Sequence, residues 1–471
     1  MKIYDSATHT YRPFEPREEG KVGIYLCGAT VQGSPHIGHM RSAVTFDVLV
    51  RWLKRLGYDV TMVRNVTDID DKILIKSREN NAPWWAWAYK FEQEFSRAYR
   101  ILGIQAPTYE PRATGHITDM LQLIQEIIDA GHAYVGNSGN VYFDVHSLQD
   151  YGSLTHQSLE NMSVDEETQE NDKKNPHDFA LWKAPKDGEP LSASWESPWG
   201  RGRPGWHIEC SAMSGRYLGD AFDIHGGGID LRFPHHENEQ AQSHGAGRSF
   251  ANYWMHNAWV TIDGEKMSKS LGNSLTVDNI VQSVKPVILR FALGTVHYRS
   301  TVAYSEKTLK EAENVYGKMI HFVEQTIKYA GEIPENDIVN ASIDVFPNAF
   351  VEAMNNDLNV AGALASIHET INDGNKLLDS ADANIARGYQ LKVRAMLDVL
   401  GLDPYSSQWK KTGSNDNEHA ALDSLVKAVL AQRDVARKEK NWDQADLLRD
   451  QLVNAGIIIE DGVDGTSWHI A

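Results

Sequence analysis

The chain has 471 residues, of which 41% are hydrophobic and 23% charged, and a formal net charge of −18. That length allows two to four domains. No apolar run reaches a membrane span, and the excess acid argues against a general nucleic-acid binder while leaving a local basic surface open. Only two cysteines are present, Cys27 and Cys210, and the N-terminus Met-Lys-Ile-Tyr-Asp lacks a charged-then-apolar signal pattern. A cytoplasmic chain without a disulfide is therefore expected.

In chain order, Val22 to Cys27 is a short apolar run that suits a buried strand. Gly28, Gly33, Ser34 and Pro35 break it, and a helix is predicted from there to about Leu56. Val44, Val48, Trp52 and Leu56 recur four apart, and Gly57 supplies the stop. The start of such a helix presents free N–H groups and a positive dipole end above the strand. His36 and His39 lie there, three apart, where imidazoles suit the charge of a polyphosphate. Tyr58 to Val66 reads as a second strand. The polar stretch Asn65 to Ile73 lacks calcium-loop spacing and suits the carboxyl edge of a parallel sheet. Residues 84 to 102 read as a helix whose aromatics mostly pack.

Ile117 to Ala130 is predicted helical, and Ala133–Val135 and Asn140–Val145 form a hairpin around Gly136 to Gly139. Glu160 to Asn175 is a highly charged loop. A second half of the sheet is expected to begin near Gly205 to Met213, with Cys210 at its start. Strands follow at Phe222 to Asp230 and Trp254 to Ile262, separated by a helix entered at Phe233 to Glu239. From about 275 the chain is helical: Val277–Leu293, Glu306–Tyr329, Ala349–Met354, Val360–Leu378 and Arg387–Leu400 suggest a bundle. Asp403 to Asn417 reads as a linker. Helices at Ala420–Glu439 and Asp443–Asn454 and strand-like ends at Gly456–Glu460 and Thr466–Ile470 make a small C-terminal domain.

Two motifs carry the chemistry. His36-Ile-Gly-His39 opens the first helix, and Lys266-Met-Ser-Lys-Ser270 follows some 230 residues later. Complete and in this order, they resemble the paired signatures of class I aminoacyl-tRNA synthetases. Cys27, Cys210, His235 and Glu239 make a credible tetrahedral zinc set, with His235 and Glu239 four apart on one helical face. His236 is a rival ligand that should point about 100° away. The words around these residues are Cys27-Gly-Ala-Thr-Val31, Gly205-Trp-His-Ile-Glu-Cys-Ser-Ala-Met213 and Phe233-Pro-His-His-Glu-Asn-Glu239. They resemble the cysteinyl-tRNA synthetase family, over nearly the whole chain.

The resemblance implies an α/β fold: a Rossmann-like parallel-sheet catalytic domain with a connective insertion, then a helix bundle and a small C-terminal α+β domain. The corresponding boundaries are 1–110 and 201–262 for the two catalytic halves and 111–200 for the insertion. Residues 263–305 take the lysine loop and stem-contact region, 306–402 the bundle, 403–417 the linker and 418–471 the anticodon-recognition domain. It implies ATP-dependent activation of L-cysteine and transfer to the 3′ end of tRNA(Cys). One zinc, on Cys27, Cys210, His235 and Glu239, would select the cysteine thiolate, because packing alone separates near-isosteres such as cysteine and serine only about a hundredfold. His36, Gly38, His39 and Lys269 would face ATP, with Lys266 also neutralising triphosphate charge and magnesium accompanying the nucleotide. Gly28, Thr67, Trp206 and Asp230 would line the cysteine pocket. Arg437, Trp442, Asp446 and Asp461 would contact the anticodon. A monomer without membrane contact is expected. Two alternatives compete: a ligase passing activated cysteine to an aminosugar thiol precursor, against which the C-terminal helices and small domain argue, and a catalytically idle tRNA-binding or regulatory paralogue, against which intact His36, His39, Lys266 and Lys269 argue.

Overall fold

The structure is a computed structural model that describes all residues except 163–171, 263–264, 267–274, 379–381, 410–414, 463–464 and 471. The chain divides into two units, Met1–Ser406 and Ser407–Ala471. The first opens with an antiparallel pair, β1 (Lys2–Asp5) and β2 (Thr10–Pro13). β3 (Lys21–Leu26) buries Val22, Ile24, Tyr25 and Leu26. α1 (Ile37–Arg55) then crosses to β4 (Asp59–Arg64), which lies parallel to β3. α1 is buried almost throughout. It ends at Leu56, and Gly57 follows at φ +90°, a left-handed conformation that glycine adopts without strain.

α2 (Asp71–Glu79) and α3 (Trp84–Ile101) follow. α2 begins at the end of the polar stretch Asn65 to Ile73 and is not expected from the sequence. Asp70 caps it by accepting a hydrogen bond from the Lys72 N–H at 2.8 Å. Beyond α4 (Ile117–Asp129), an antiparallel sheet runs in the order of β5 (Ala133–Val135), β6 (Val141–Phe143), β7 (Phe179–Lys183) and β8 (Arg203–Pro204). The charged 160–175 segment lies largely outside the described residues.

The second parallel half comprises α5 (Trp206–Leu218), β9 (Phe222–Gly228), α6 (Glu237–Gly245) and β10 (Ala251–Asn257). Cys210 therefore sits within a helix and does not start a strand. His207 to Ser214 are buried without interruption, so the helix shows no amphipathic period by which to recognise it. The central sheet has the order β10-β9-β3-β4, all parallel. Its two halves meet where β3 pairs with β9, and at such a reversal the carboxyl ends of the strands open a crevice.

β11 (Val260–Ile262) and β12 (Glu265–Lys266) belong to a second small sheet with β13 (Val302–Tyr304). The expected strand Trp254–Ile262 is thus two strands in two sheets. The expected helix Val277–Leu293 is likewise split into α7 (Val277–Ile280) and α8 (Pro286–Gly294). Pro286 starts α8 because it has no N–H to give a preceding turn. The bundle then follows as α9 (Glu306–Ala330), α10 (Glu335–Val339), α11 (Asn348–Asn355), α12 (Val360–Leu378) and α13 (Ala383–Val399). The second unit contains α14 (Asn415–Lys438), α15 (Trp442–Asn454) and the antiparallel pair β14 (Ile457–Gly462) and β15 (Gly465–Ile470). Val426, Leu430, Leu452 and Ile457 form its core.

A buried charge network fixes the far end of α1. Asp47 accepts from Arg51 Nε at 2.8 Å, from Arg290 Nη2 at 2.5 Å and from the Gln105 N–H at 2.9 Å. Arg290 also donates to the carbonyls of Leu102, Gly103 and Leu400, and Arg55 pairs with Asp398 at 2.8 Å. α1, the end of α3, α8 and α13 are thereby joined. Burial by itself would raise the Asp47 pKa, but Arg51 and Arg290 prevail and hold it below the usual carboxylate value.

Asp47→Asn should cost about 3–5 kcal/mol at neutral pH, because two buried guanidinium groups lose their anion. Since the folded-state pKa is depressed, that stabilisation is present above the ordinary carboxylate range and is lost as the pH falls through the folded value. The gap between wild type and variant in denaturant titrations should therefore narrow below about pH 4. Equal midpoints at neutral pH would remove the network from the account of stability.

Candidate active site

The cavity at the β3–β9 junction has a volume of about 380 Å³ and is lined by Cys27, Gly28, His36, Gly38, His39, Lys72, Trp206, Asp230 and neighbouring loop residues. Seven of the residues singled out in the sequence thus share one space. Cys27 follows β3 directly, and its N–H donates to the Gly226 carbonyl at 3.1 Å. Gly28 packs so closely that an added Cβ would lie 1.7 Å from the Asn65 carbonyl oxygen. Its N–H donates to Asn65 Oδ1 at 2.8 Å. A side chain at Gly28 would thus have to displace backbone.

Thr67 lies behind this wall. It is buried, its hydroxyl accepts from Asn65 Nδ2 at 3.2 Å, and its backbone pairs with Ala29 and Val31. It does not line the cavity. Asp230 lies on the short turn after β9 and opens to the cavity.

His36 is the N-cap of α1. Its N–H donates to His39 Nδ1 at 3.2 Å, and the two rings stack with centroids 3.7 Å apart. The opening of α1 is stitched to the chain that follows the lysine motif. The Ile37 N–H donates to the Leu275 carbonyl, the Val277 N–H donates to the Pro35 carbonyl, and His36 bridges Thr276. Lys266 lies on β12, paired with Thr261. Lys269 lies outside the described residues.

Beneath the cavity, Cys27 Sγ approaches Cys210 Sγ at 3.8 Å and Glu239 Oε1 at 3.4 Å. His235 Nε2 lies 3.1 Å from the same Glu239 oxygen. All four donor atoms fall within 4.8 Å of one another. A tetrahedral site with metal–sulfur bonds of about 2.3 Å has a sulfur–sulfur edge of about 3.8 Å, so the donor set fits zinc. A second set, Cys27, His225, His236 and Glu239, shares two members and meets the same distance limit. The rival His236 therefore does reach this space. The first set offers both thiols, which favours a soft metal.

Burial, followed by the hydrogen bond to Cys210, drives the Cys27 thiol well above its ordinary pKa, and burial also raises that of Cys210. Burial pushes His207, His235 and His256 down to about 3 and His236 well below its ordinary value. Neutral imidazoles keep a lone pair for a metal.

A histidine shell missed in the sequence supports the cluster. His207 Nδ1 lies 2.9 Å from His235 Nδ1, leaving His235 Nε2 to face Glu239. His225 Nε2 holds Glu239 Oε2 at 2.8 Å, and His236 Nδ1 meets His256 Nε2 at 2.8 Å. Such hydrogen bonds fix a ligand's tautomer and orientation. Polar His225 and His256 within otherwise buried strands were the available sign. Glu209, buried beside Thr67, has its carboxyl pKa raised well above normal by burial and then by Asp70.

In the second unit, Arg437 lies in the last turn of α14, while Trp442 and Asp446 lie one turn apart at the start of α15. All three are exposed. Asn441 caps α15 by accepting from the Gln444 N–H. Asp461 lies on β14, but its side chain is outside the described residues.

Comparison with known proteins places these features in context. Residues 13–314 match the family described as tRNA synthetases class I (C) catalytic domain, 349–402 the DALR domain and 419–468 the Cysteinyl-tRNA ligase anticodon binding domain. The Cysteine–tRNA ligase of Beutenbergia cavernae is 59% identical over 470 residues, covering 100% of this chain and 99% of the relative. That of Streptomyces coelicolor is 53% identical over 472 residues, covering 100% of this chain and 75% of the relative. The fold resembles Mycobacterium tuberculosis methionyl-tRNA synthetase in complex with methionyl-adenylate. The TM-score is 0.56 at 15% identity, covering 81% of this chain and 90% of that one.

The cluster makes a direct prediction. Cys27→Ser and Cys210→Ser should each lose stoichiometric zinc by elemental analysis, whereas His256→Asn should retain most of it. Because both thiols are protonated without metal, chelating the zinc at neutral pH should take up two protons per chain. Full retention of zinc in Cys210→Ser would remove that residue from the ligand set.

Proposed function

The chain belongs to the cysteine–tRNA ligase family of class I tRNA synthetases, and on that premise we propose that it activates L-cysteine with ATP and joins it to the 3′ end of tRNA(Cys). The observation that carries this reading is one cavity with the His36–His39 helix start on its wall and Cys27, a member of the buried donor cluster, at its floor. A polyanion site and a thiol-selecting site are thereby brought within reach of one small substrate.

In the first step a cysteine carboxylate oxygen attacks the α-phosphorus of ATP. The bond to the β-phosphate breaks, leaving cysteinyl-adenylate and pyrophosphate. In the second, a ribose hydroxyl at the tRNA 3′ end attacks the cysteinyl carbonyl, loses its proton and expels AMP. Neither step needs a protein nucleophile, so positioning and charge stabilisation dominate. His36, Gly38 and His39 hold the nucleotide at the positive end of α1. Lys266 and Lys269 neutralise the triphosphate as charge moves to the leaving group, and magnesium accompanies the ATP.

Asp230 takes the substrate ammonium, Trp206 walls the pocket, and Gly28 shapes it, with Thr67 supporting the wall from behind. Zinc on Cys27, Cys210, His235 and Glu239 supplies a soft acceptor that prefers a thiolate to a hydroxyl. Arg437, Trp442, Asp446 and Asp461 contact the anticodon, as splayed single-stranded bases suit stacking and edge readout. The protein acts as a monomer in the cytoplasm.

Attachment of cysteine to total tRNA, with ATP and zinc-loaded protein, tests the whole reading against a serine control. Charging with cysteine alone is expected. Pyrophosphate exchange without tRNA charging would leave the activation site and remove tRNA as acceptor. Lys269→Ala should slow adenylate formation by about 100- to 1,000-fold, the loss typical of one charge-stabilising donor, with cysteine affinity nearly unchanged. A normal exchange rate in that variant would refute its role.

A further inference from the structure

We propose that the surface formed by α2, α3 and the loop after β7 carries the unpaired 3′ end of the tRNA into the active cavity, with Trp85 as a stacking platform and Lys76 and Arg78 as phosphate contacts. The inference rests on the tRNA reading above and assigns a surface to it.

The surface is continuous with the active cavity through one helix. Lys72, in the first turn of α2, lines that cavity and lies 5.6 Å from the Trp206 ring centroid. About 9 Å further along the same helix axis, Arg78 lines a second cavity of about 310 Å³ together with Ile75, Trp84, Trp85 and Pro190. A strand leaving the first cavity along α2 therefore reaches the second within a few nucleotides.

The surface also has the chemistry of a single-strand groove. Trp85 is 60% exposed, and Tyr89, one turn further along α3, is 55% exposed. Ile75 and Leu191 are exposed beside them. Large apolar groups gathered in the open mark a binding surface. Trp84 beneath is fixed, its Nε1 donating to Ser192 Oγ at 3.1 Å. Base–aromatic stacking tolerates any sequence, and cations alongside take the backbone.

The charge is complementary to a polyanion. Among the described residues neither Lys76 nor Arg78 has a carboxylate within ion-pair distance. Of the nearby acids, Asp71 is paired with Lys183 and Arg203 and Glu189 with both terminal nitrogens of Arg203, while Glu79 and Asp187 are exposed; against these four stand six cations, Lys72, Lys76, Arg78, Lys183, Lys186 and Arg203. The patch is thus locally positive on a chain of net charge −18. A purely apolar peptide partner would make no use of these cations.

The test compares wild type, Trp85→Ala, Trp85→Phe and Arg78→Ala on intact tRNA(Cys) and on the same tRNA lacking its unpaired 3′ end. Trp85→Ala should weaken binding of intact tRNA about tenfold and bind the truncated tRNA as wild type does. Trp85→Phe should restore most of the loss. Arg78→Ala should reduce the slope of log K against log salt by about 1. Cysteine-dependent pyrophosphate exchange should stay unchanged in all three, which also verifies folding. Equal affinity of Trp85→Ala and wild type for intact tRNA would overturn the proposal, as would an equal loss on truncated tRNA. A wild type that exchanges pyrophosphate but charges no tRNA would instead overturn the reading on which it rests.

Discussion

Three residue pairs between β3 and β9, Ile24↔Ile224, Tyr25↔His225 and Leu26↔Gly226, join the two halves of the central sheet. The site depends on this seam. It sets Cys27 beside α5 and α6, although Cys210 lies 183 residues further along the chain. The seam also requires close packing. A Cβ on Gly226 would lie 2.0 Å from Phe46 Cζ, so α1 lies directly against the strand that carries His225. Parallel strands covered on both faces are fixed by such packing.

Around the seam the chain tolerates an unusual density of buried polar groups. Five histidines, two thiols and two carboxylates stand together, nearly all of them buried. Each would be costly alone. Here burial keeps His207, His235, His236 and His256 neutral and they pair with one another, while Glu239 is held between His225 and His235. The thiols, driven toward the protonated form by burial, gain most from a metal that stabilises their anions. A metal bound at this cluster would for that reason couple its binding to folding.

α1 links this cluster to the rest of the first unit. Its N-terminal end is stitched to Leu275 and Val277, just beyond the lysine motif, and its C-terminal half is tied through Asp47 to Arg51 and Arg290. A helix fixed at both ends holds His36 and His39 on a rigid element, as their proposed role in stabilising developing charge would require. Arg41, buried between these points, donates to the carbonyls of Leu293, Val296 and His297 and adds a third tie.

The sequence alone determined what depends on near neighbours along the chain. β3, α1, β4, α3, α4 and the bundle helices α9, α11, α12 and α13 follow apolar patterns legible in the sequence, whereas the short α10 is not expected from it, and the two signature motifs are contiguous words. His235 and Glu239 could be placed on one face because they are four apart. The tertiary structure decided what local pattern cannot express. α5 is buried on every side and shows no period, α2 is too short and polar to stand out, and the 277–293 run breaks at Pro286. Thr67 turned inward because its hydroxyl and backbone found partners behind the cavity wall. The meeting of Cys27 with Cys210, and the shell of His207, His225 and His256 around them, follow from pairing β3 with β9. That pairing is a contact between segments about 200 residues apart, and no local period encodes it.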